Sequence, residues 1–136
     1  MRILSSVVIL LLVSSSAVAG SQKNEARAAK EAAALEKLLA GKVAGKPVSC
    51  ISLRDVKRSQ TIGENAIIYR ISSNRFYVNA PRGGCSGLRD GRALVTRIPT
   101  DRLCSGDIAR VVDLTLGFEG PSCILGEFTP YAAAKG

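Results

Sequence analysis

The spacing of hydrophobic positions changes twice along the chain, and each change predicts a different kind of element. The first apolar stretch, VVILLLV at 7–13, follows Arg2 and precedes Ala17-Val18-Ala19. A positive start, a short apolar core and small residues before the cut predict an export signal over 1–19, cleaved between Ala19 and Gly20. Its apolar core is about half of the ~20 residues needed to cross a hydrocarbon layer, so no transmembrane span is expected after signal removal. From 24 to 41 the period becomes helical. Ala28, Ala32, Leu35 and Leu39 line one face and Leu38 broadens it, with Asn24 as N-cap, Glu25 in the first turn and Gly41 as the stop. Alanine favours the helix, but three leucines make a thin stripe. The segment 20–47 therefore reads as an Ala/Lys-rich helical spacer that could dock on a partner, a membrane surface or its own domain.

From Val48 onward the period shortens to that of β-strands. The runs 48–53, 66–72, 75–80, 93–98, 109–116 and 123–128 are rich in β-branched and aromatic residues, and Gly, Pro, Ser, Asn and Asp punctuate the gaps. The stretch 66–80 predicts a hairpin around Ser73-Asn74, with Phe76 and Val78 on one face and Arg75, Tyr77 and Asn79 on the other. In 109–116, Val112, Leu114 and Leu116 share a face opposite Val111, Asp113 and Thr115. The fold expected is mainly β: a small antiparallel barrel or sandwich of about six strands, preceded by an N-terminal helix.

Composition sharpens this division. Residues 21–47 carry five Lys and one Arg, whereas 48–136 carry ten Arg and two Lys, which suggests a boundary near Gly45-Lys46-Pro47 and a β domain over 48–136. The 136-residue chain has no histidine and no tryptophan. A Ser-His-Asp triad, a Cys-His pair and His-ligated metals are thereby excluded, and no metal or cofactor is called for. Cys50, Cys85, Cys104 and Cys123 are an even set without a CxxC, the pattern of a disulfide framework in a small exported domain. Four cysteines allow three pairings. Joining neighbours in sequence and tying the first strand to the last would give Cys85–Cys104 and Cys50–Cys123.

Tyr69, Tyr77-Val78-Asn79 and Gly84-Cys85 with Leu88 resemble a family of small exported proteobacterial proteins of unknown function. Leu103-Cys104-Ser105-Gly106-Asp107, Val111-Val112-Asp113 and the run from Cys123 to Pro130 continue the likeness, which covers about residues 48–130 and omits the helix. The resemblance implies a periplasmic or secreted location and a small β-rich fold. It carries over no catalytic residue.

Candidate chemistry is sparse. Gly106 and Asp107 read first as a turn before a strand, with Asp107 able to bond nearby backbone. Asp90, Asp101, Asp107 and Asp113 are the carboxylates from which a small hydrolase would be built. The glycines at 83, 84 and 87 lack the lysine of a P-loop and read as a turn beside a disulfide. Arg82, Arg89, Arg92, Arg97 and Arg102 form the densest group of guanidiniums, suited to phosphate or carboxylate. With 19 basic and 11 acidic residues the chain carries a net charge of +8. That balance suits an anionic lipid headgroup, an acidic polymer or an envelope protein as partner. Nucleic acid is disfavoured by the expected compartment and by the scarcity of stacking aromatics. The function expected is a non-enzymatic binding module. The alternatives are an Asp-dependent hydrolase, or an inhibitor-like module presenting the loop 82–92.

Overall fold

The computed structural model describes residues 18–89 and 91–135, so residues 1–17 of the expected export signal over 1–19, together with Asp90 and Gly136, lie outside the described residues. Helix α1 spans Val18–Leu39. It begins earlier than expected, and Asn24 and Glu25 are interior rather than at its start. Alanine-rich propensity carries the helix past Asn24, whose placement inside a helix costs only a few tenths of a kcal/mol. Gly41, at φ 70°, turns the chain out of the helix as predicted.

Ten strands follow: β1 Lys42–Ala44, β2 Cys50–Ser52, β3 Arg58–Ile62, β4 Ala66–Arg70, β5 Arg75–Asn79, β6 Arg92–Thr96, β7 Arg102–Cys104, β8 Ile108–Asp113, β9 Glu119–Ile124 and β10 Phe128–Ala133. All pairings are antiparallel. They form a five-stranded sheet in the order β1-β10-β5-β4-β3, a pair β2-β7 and a three-stranded sheet β6-β8-β9. The fold is thus mainly β with one N-terminal helix, and no closed barrel forms among the described strands.

The five-stranded sheet is covered on both faces, which explains why AIIYR in β4 is apolar without alternation. Ile67 and Tyr69 face a core shared with Ile51, Leu88, Leu103, Val111, Leu125 and Phe128. Ala66 and Ile68, with Ile62 and Phe76, face the other way, where Leu35, Leu38 and Leu39 of α1 cover them. The helix therefore docks on its own sheet. Its buried edge keeps Leu35, Leu38 and Leu39 of the predicted stripe, but Ala28 and Ala32 are exposed and Glu31 turns inward.

The predicted hairpin over 66–80 forms, with Arg70 opposite Phe76 and Tyr69 opposite Tyr77. Asn79 is fully buried and spans the link between β9 and β10: its Nδ2 donates to Gly126 O (2.7 Å) and Glu127 O (3.3 Å), while Gly126 N donates to its Oδ1 (3.1 Å). A side chain at Gly126 would collide with Ala80 O, so the link can approach β5 this closely only as glycine.

The strands number ten rather than about six, and four further expectations need correction. The run 109–116 ends as a strand at Asp113, and Leu114 and Leu116 lie in an exposed turn rather than on one strand face with Val112; Ala109 and Val111 fill the core. The run 123–128 is not one strand, because Leu125–Gly126–Glu127 separates β9 from β10. Lys42–Ala44, read with the helical spacer, pairs with β10. Gly45 then donates its N–H to Pro130 O at 2.7 Å and has no room for a Cβ against the Pro130 ring.

The disulfide pairing is the fourth. The bonds are Cys50–Cys104 and Cys85–Cys123, not Cys50–Cys123 and Cys85–Cys104. Strand β7, only three residues long, sets Cys104 directly opposite Cys50. The flanking pair Ser49–Ser105 is hydrogen-bonded, so Cys50 and Cys104 occupy a non-hydrogen-bonded position, where side chains lie closest. The loop after β5 crosses the end of β9 through an Arg82–Ile124 bridge, which brings Cys85 to Cys123.

Candidate functional site

Among the described residues an open groove of 710 Å³ lies between α1 and the β3 edge of the main sheet. Helical spacing builds one wall: residues 27, 30, 31, 34, 37 and 38 recur at intervals of three and four and share a face. Ala34, Leu38 and Ile62 line an apolar floor, and Gln60, Thr61 and Gly63 form the opposite rim. Arg27, Lys30, Lys37 and Arg89 supply four cations, against Glu31 as the single acid.

That acid is already engaged. Glu31 accepts from Arg27 Nε at 2.9 Å and lies against Gly63, whose φ of 56° and missing side chain leave the space it fills. The pairing raises the Arg27 pKa above its ordinary value, with the Glu31 hydrogen bond as the largest cause. Arg27 also reaches Glu64 at 3.6 Å and Leu88 O at 3.4 Å. Glu64 in turn accepts from Gly87 N at 2.7 Å, and its backbone O accepts from Cys85 N. Helix, β3–β4 turn and disulfide loop are thus latched together. Lys30, Lys37 and Arg89 make no ion pair with any described carboxylate.

The five arginines singled out from the sequence do not share one such site. Arg82 donates to the Ser105 hydroxyl at 3.2 Å. Arg89 lines the helix groove. Arg92 turns toward Gly87 O (3.1 Å) and Asp113 (3.6 Å), and Arg97 pairs with Glu119 at 3.3 Å. Arg102 is exposed on β7. Only Arg89 joins the groove; its cationic partners come from α1, more than 50 residues earlier in the chain. Lys30 and Lys37 were legible only as charges on a helix, because their convergence with Arg89 depends on how that helix docks.

The turn at 104–107 is built as a reciprocal pair. Asp107 N donates to Cys104 O at 3.1 Å, Cys104 N donates to Asp107 Oδ2 at 2.7 Å, and Gly106 takes φ 96°. The Asp107 carboxylate thus bonds backbone three residues earlier. Asp101 pairs with Arg54 at 2.6 Å.

Asp113 and Glu119 do line one small cavity of 220 Å³, beside Arg92. Both are held ionised. Backbone N–H groups of Leu116 and Thr115, then Arg92, lower the Asp113 pKa, and the Arg110 hydrogen bond lowers that of Glu119. A hydrolytic pair needs one carboxyl raised so that it can give a proton, and both shifts run the other way. Burial pushes the Tyr69 phenol up to about 12, which leaves it neutral and unsuited to proton transfer near neutrality.

The loop 82–92 is anchored by the fully buried Cys85 and Leu88, while Arg82, Gly83, Ser86 and Arg89 are exposed. Among the described residues no group of three or more His, Cys, Asp or Glu comes together, and no helix is long and apolar enough to cross a membrane. Both disulfides are compatible with an oxidising compartment. In comparisons with known proteins, the chain matches no family model, no curated protein and no solved structure.

Proposed function

We propose that this chain is an exported binding module whose ligand is an anionic amphiphile, held in the groove between α1 and β3. One observation carries the reading: an apolar floor of Ala34, Leu38 and Ile62 is rimmed by four cations and a single, internally paired acid. A carboxylate or phosphate head fits charge-assisted bonds from Lys30, Lys37 and Arg89, while a short acyl chain lies along the floor. The volume falls within the ~300–1,000 Å³ typical of small-ligand sites. The signal-like start and the two disulfides support a periplasmic or secreted location, where such ligands are envelope components. The core shared by the five-stranded sheet and the two smaller ones favours the sandwich alternative over the barrel.

Calorimetric titration with lysophosphatidylglycerol below its micellar concentration tests the reading. Binding is expected to weaken at least several-fold when salt rises from about 0.05 to about 0.5 M, because rim charges are solvent-screened. Lys30→Glu with Lys37→Glu is expected to abolish it. Salt-independent binding, or full binding by the double variant, would contradict a charge-selecting groove.

A further inference from the structure

A second surface is independent of the groove. Among the described residues eight large hydrophobics are exposed, and six of them belong to the β6-β8-β9 sheet and its β8–β9 turn: Val95, Ile108, Leu114, Leu116, Phe118 and Ile124. Single exposed apolar residues are ordinary, but their concentration on one sheet marks an interaction surface. The turn carries the most prominent of them, with Leu114, Leu116 and Phe118 at 68%, 67% and 71% exposure.

This turn is held in shape by its own backbone. Asp113 Oδ1 accepts from both Thr115 N and Leu116 N at 3.0 Å, and Gly117 N donates to Asp113 O at 2.8 Å. Asp113 N closes the base by donating to Phe118 O at 2.9 Å, and Gly117 supplies the positive φ. The apolar side chains are presented outward by a built turn, not left there by a loose one. On the same sheet the exposed guanidiniums of Arg97 and Arg110 share the single carboxylate of Glu119, while Arg92 turns inward and offsets Asp113. An apolar tip backed by a net-positive tier suits an interface whose outer layer is anionic and whose interior is hydrocarbon.

We propose that the β8–β9 hairpin docks the protein on anionic lipid bilayers, with Leu114, Leu116 and Phe118 entering the headgroup–acyl boundary and the arginines lying at phosphate level. The excess of guanidinium over carboxylate favours a lipid surface of negative charge. Three inserted side chains give reversible attachment that needs this electrostatic contribution.

The chain has no tryptophan, so Phe118→Trp places a single indole reporter at the tip. With vesicles containing phosphatidylglycerol, its emission is expected to shift to the blue and to be quenched by brominated acyl chains. With phosphatidylcholine alone the change is expected to be small. Leu114→Ser with Leu116→Ser, both at exposed positions, is expected to keep both disulfides and the native circular dichroism while losing about tenfold or more in vesicle affinity. The Lys30→Glu, Lys37→Glu background is expected to leave tip quenching intact, which separates this surface from the groove. Indole emission from the Phe118→Trp variant that is unchanged by both vesicle types overturns the proposal and leaves the face to a protein partner. Wild-type vesicle affinity in the folded double-serine variant overturns it as well.

Discussion

Asn79 shows how much of this fold hangs on single polar contacts. Its amide satisfies Gly126 N, Gly126 O and Glu127 O inside a site without water access, and so fixes where the chain passes from β9 to β10. Removing it strands buried backbone groups that cost about 1–3 kcal/mol apiece when unpaired. Asn79→Ala is therefore expected to destabilise the protein by roughly 2–4 kcal/mol in urea unfolding, well above a typical point substitution. A loss below about 0.5 kcal/mol would mean that the link closes without this clamp. The position was read from the sequence as a polar residue on the face of β5 opposite Phe76. The face was legible from alternation, whereas its burial was not, because the partner is backbone 47 positions away.

At the scale of elements, the hairpin β4–β5 was legible because the β-branched run of β4, the alternation in β5 and the Ser73-Asn74 turn agree with one another. Strand β3 was not: RSQTI is exposed at four of five positions, so it has neither an apolar run nor alternation. It is a strand because β4 offers an open edge, a tertiary cause. Strand β10 contains Pro130, which argues against a central strand. The structure accommodates it because Pro130 faces Gly45, just past the end of the short β1, where its missing N–H breaks no ladder bond within β1. The docking of α1 depends on Gly63 in the same way. An alanine there meets the Glu31 carboxylate and must also adopt φ 56°, at a backbone cost of about 1–2 kcal/mol. Gly63→Ala is expected to speed amide exchange along α1 while leaving β4 and β5 protected. Gly117→Ala is the control, since its φ is similarly positive but no atom lies within 4 Å of the added methyl. It is expected to leave α1 exchange unchanged. Equal exchange in both variants would mean that the Glu31–Gly63 contact does not seat the helix.

Across the whole molecule, two covalent links join the layers. Cys50–Cys104 closes a separation of 54 residues and Cys85–Cys123 one of 38, each worth about 4 kcal/mol in the chain-entropy picture. On loop length alone, losing Cys50–Cys104 would cost slightly more. Packing reverses the order, because Cys85 and Cys123 are buried in the main core while Cys50 and Cys104 are half-buried. Cys85→Ala with Cys123→Ala is expected to lower stability by more than Cys50→Ala with Cys104→Ala, by about 1 kcal/mol or more in urea unfolding. The opposite order would assign disulfide stabilisation here to loop closure alone. That four cysteines form two bonds was readable from their even number. Their pairing was not, since it depends on the three-residue β7 and on a loop that crosses β9.

The same limit applies to the groove, whose cations stand on a helix and on a loop more than 50 residues later. Amide chemical-shift mapping during titration with lysophosphatidylglycerol tests its role most directly. The account predicts that the largest shifts fall on Lys30, Lys37, Thr61, Gly63 and Arg89, and that they vanish in the Lys30→Glu, Lys37→Glu variant. Shifts confined to residues 114–118, or none anywhere, would contradict a ligand site between α1 and β3.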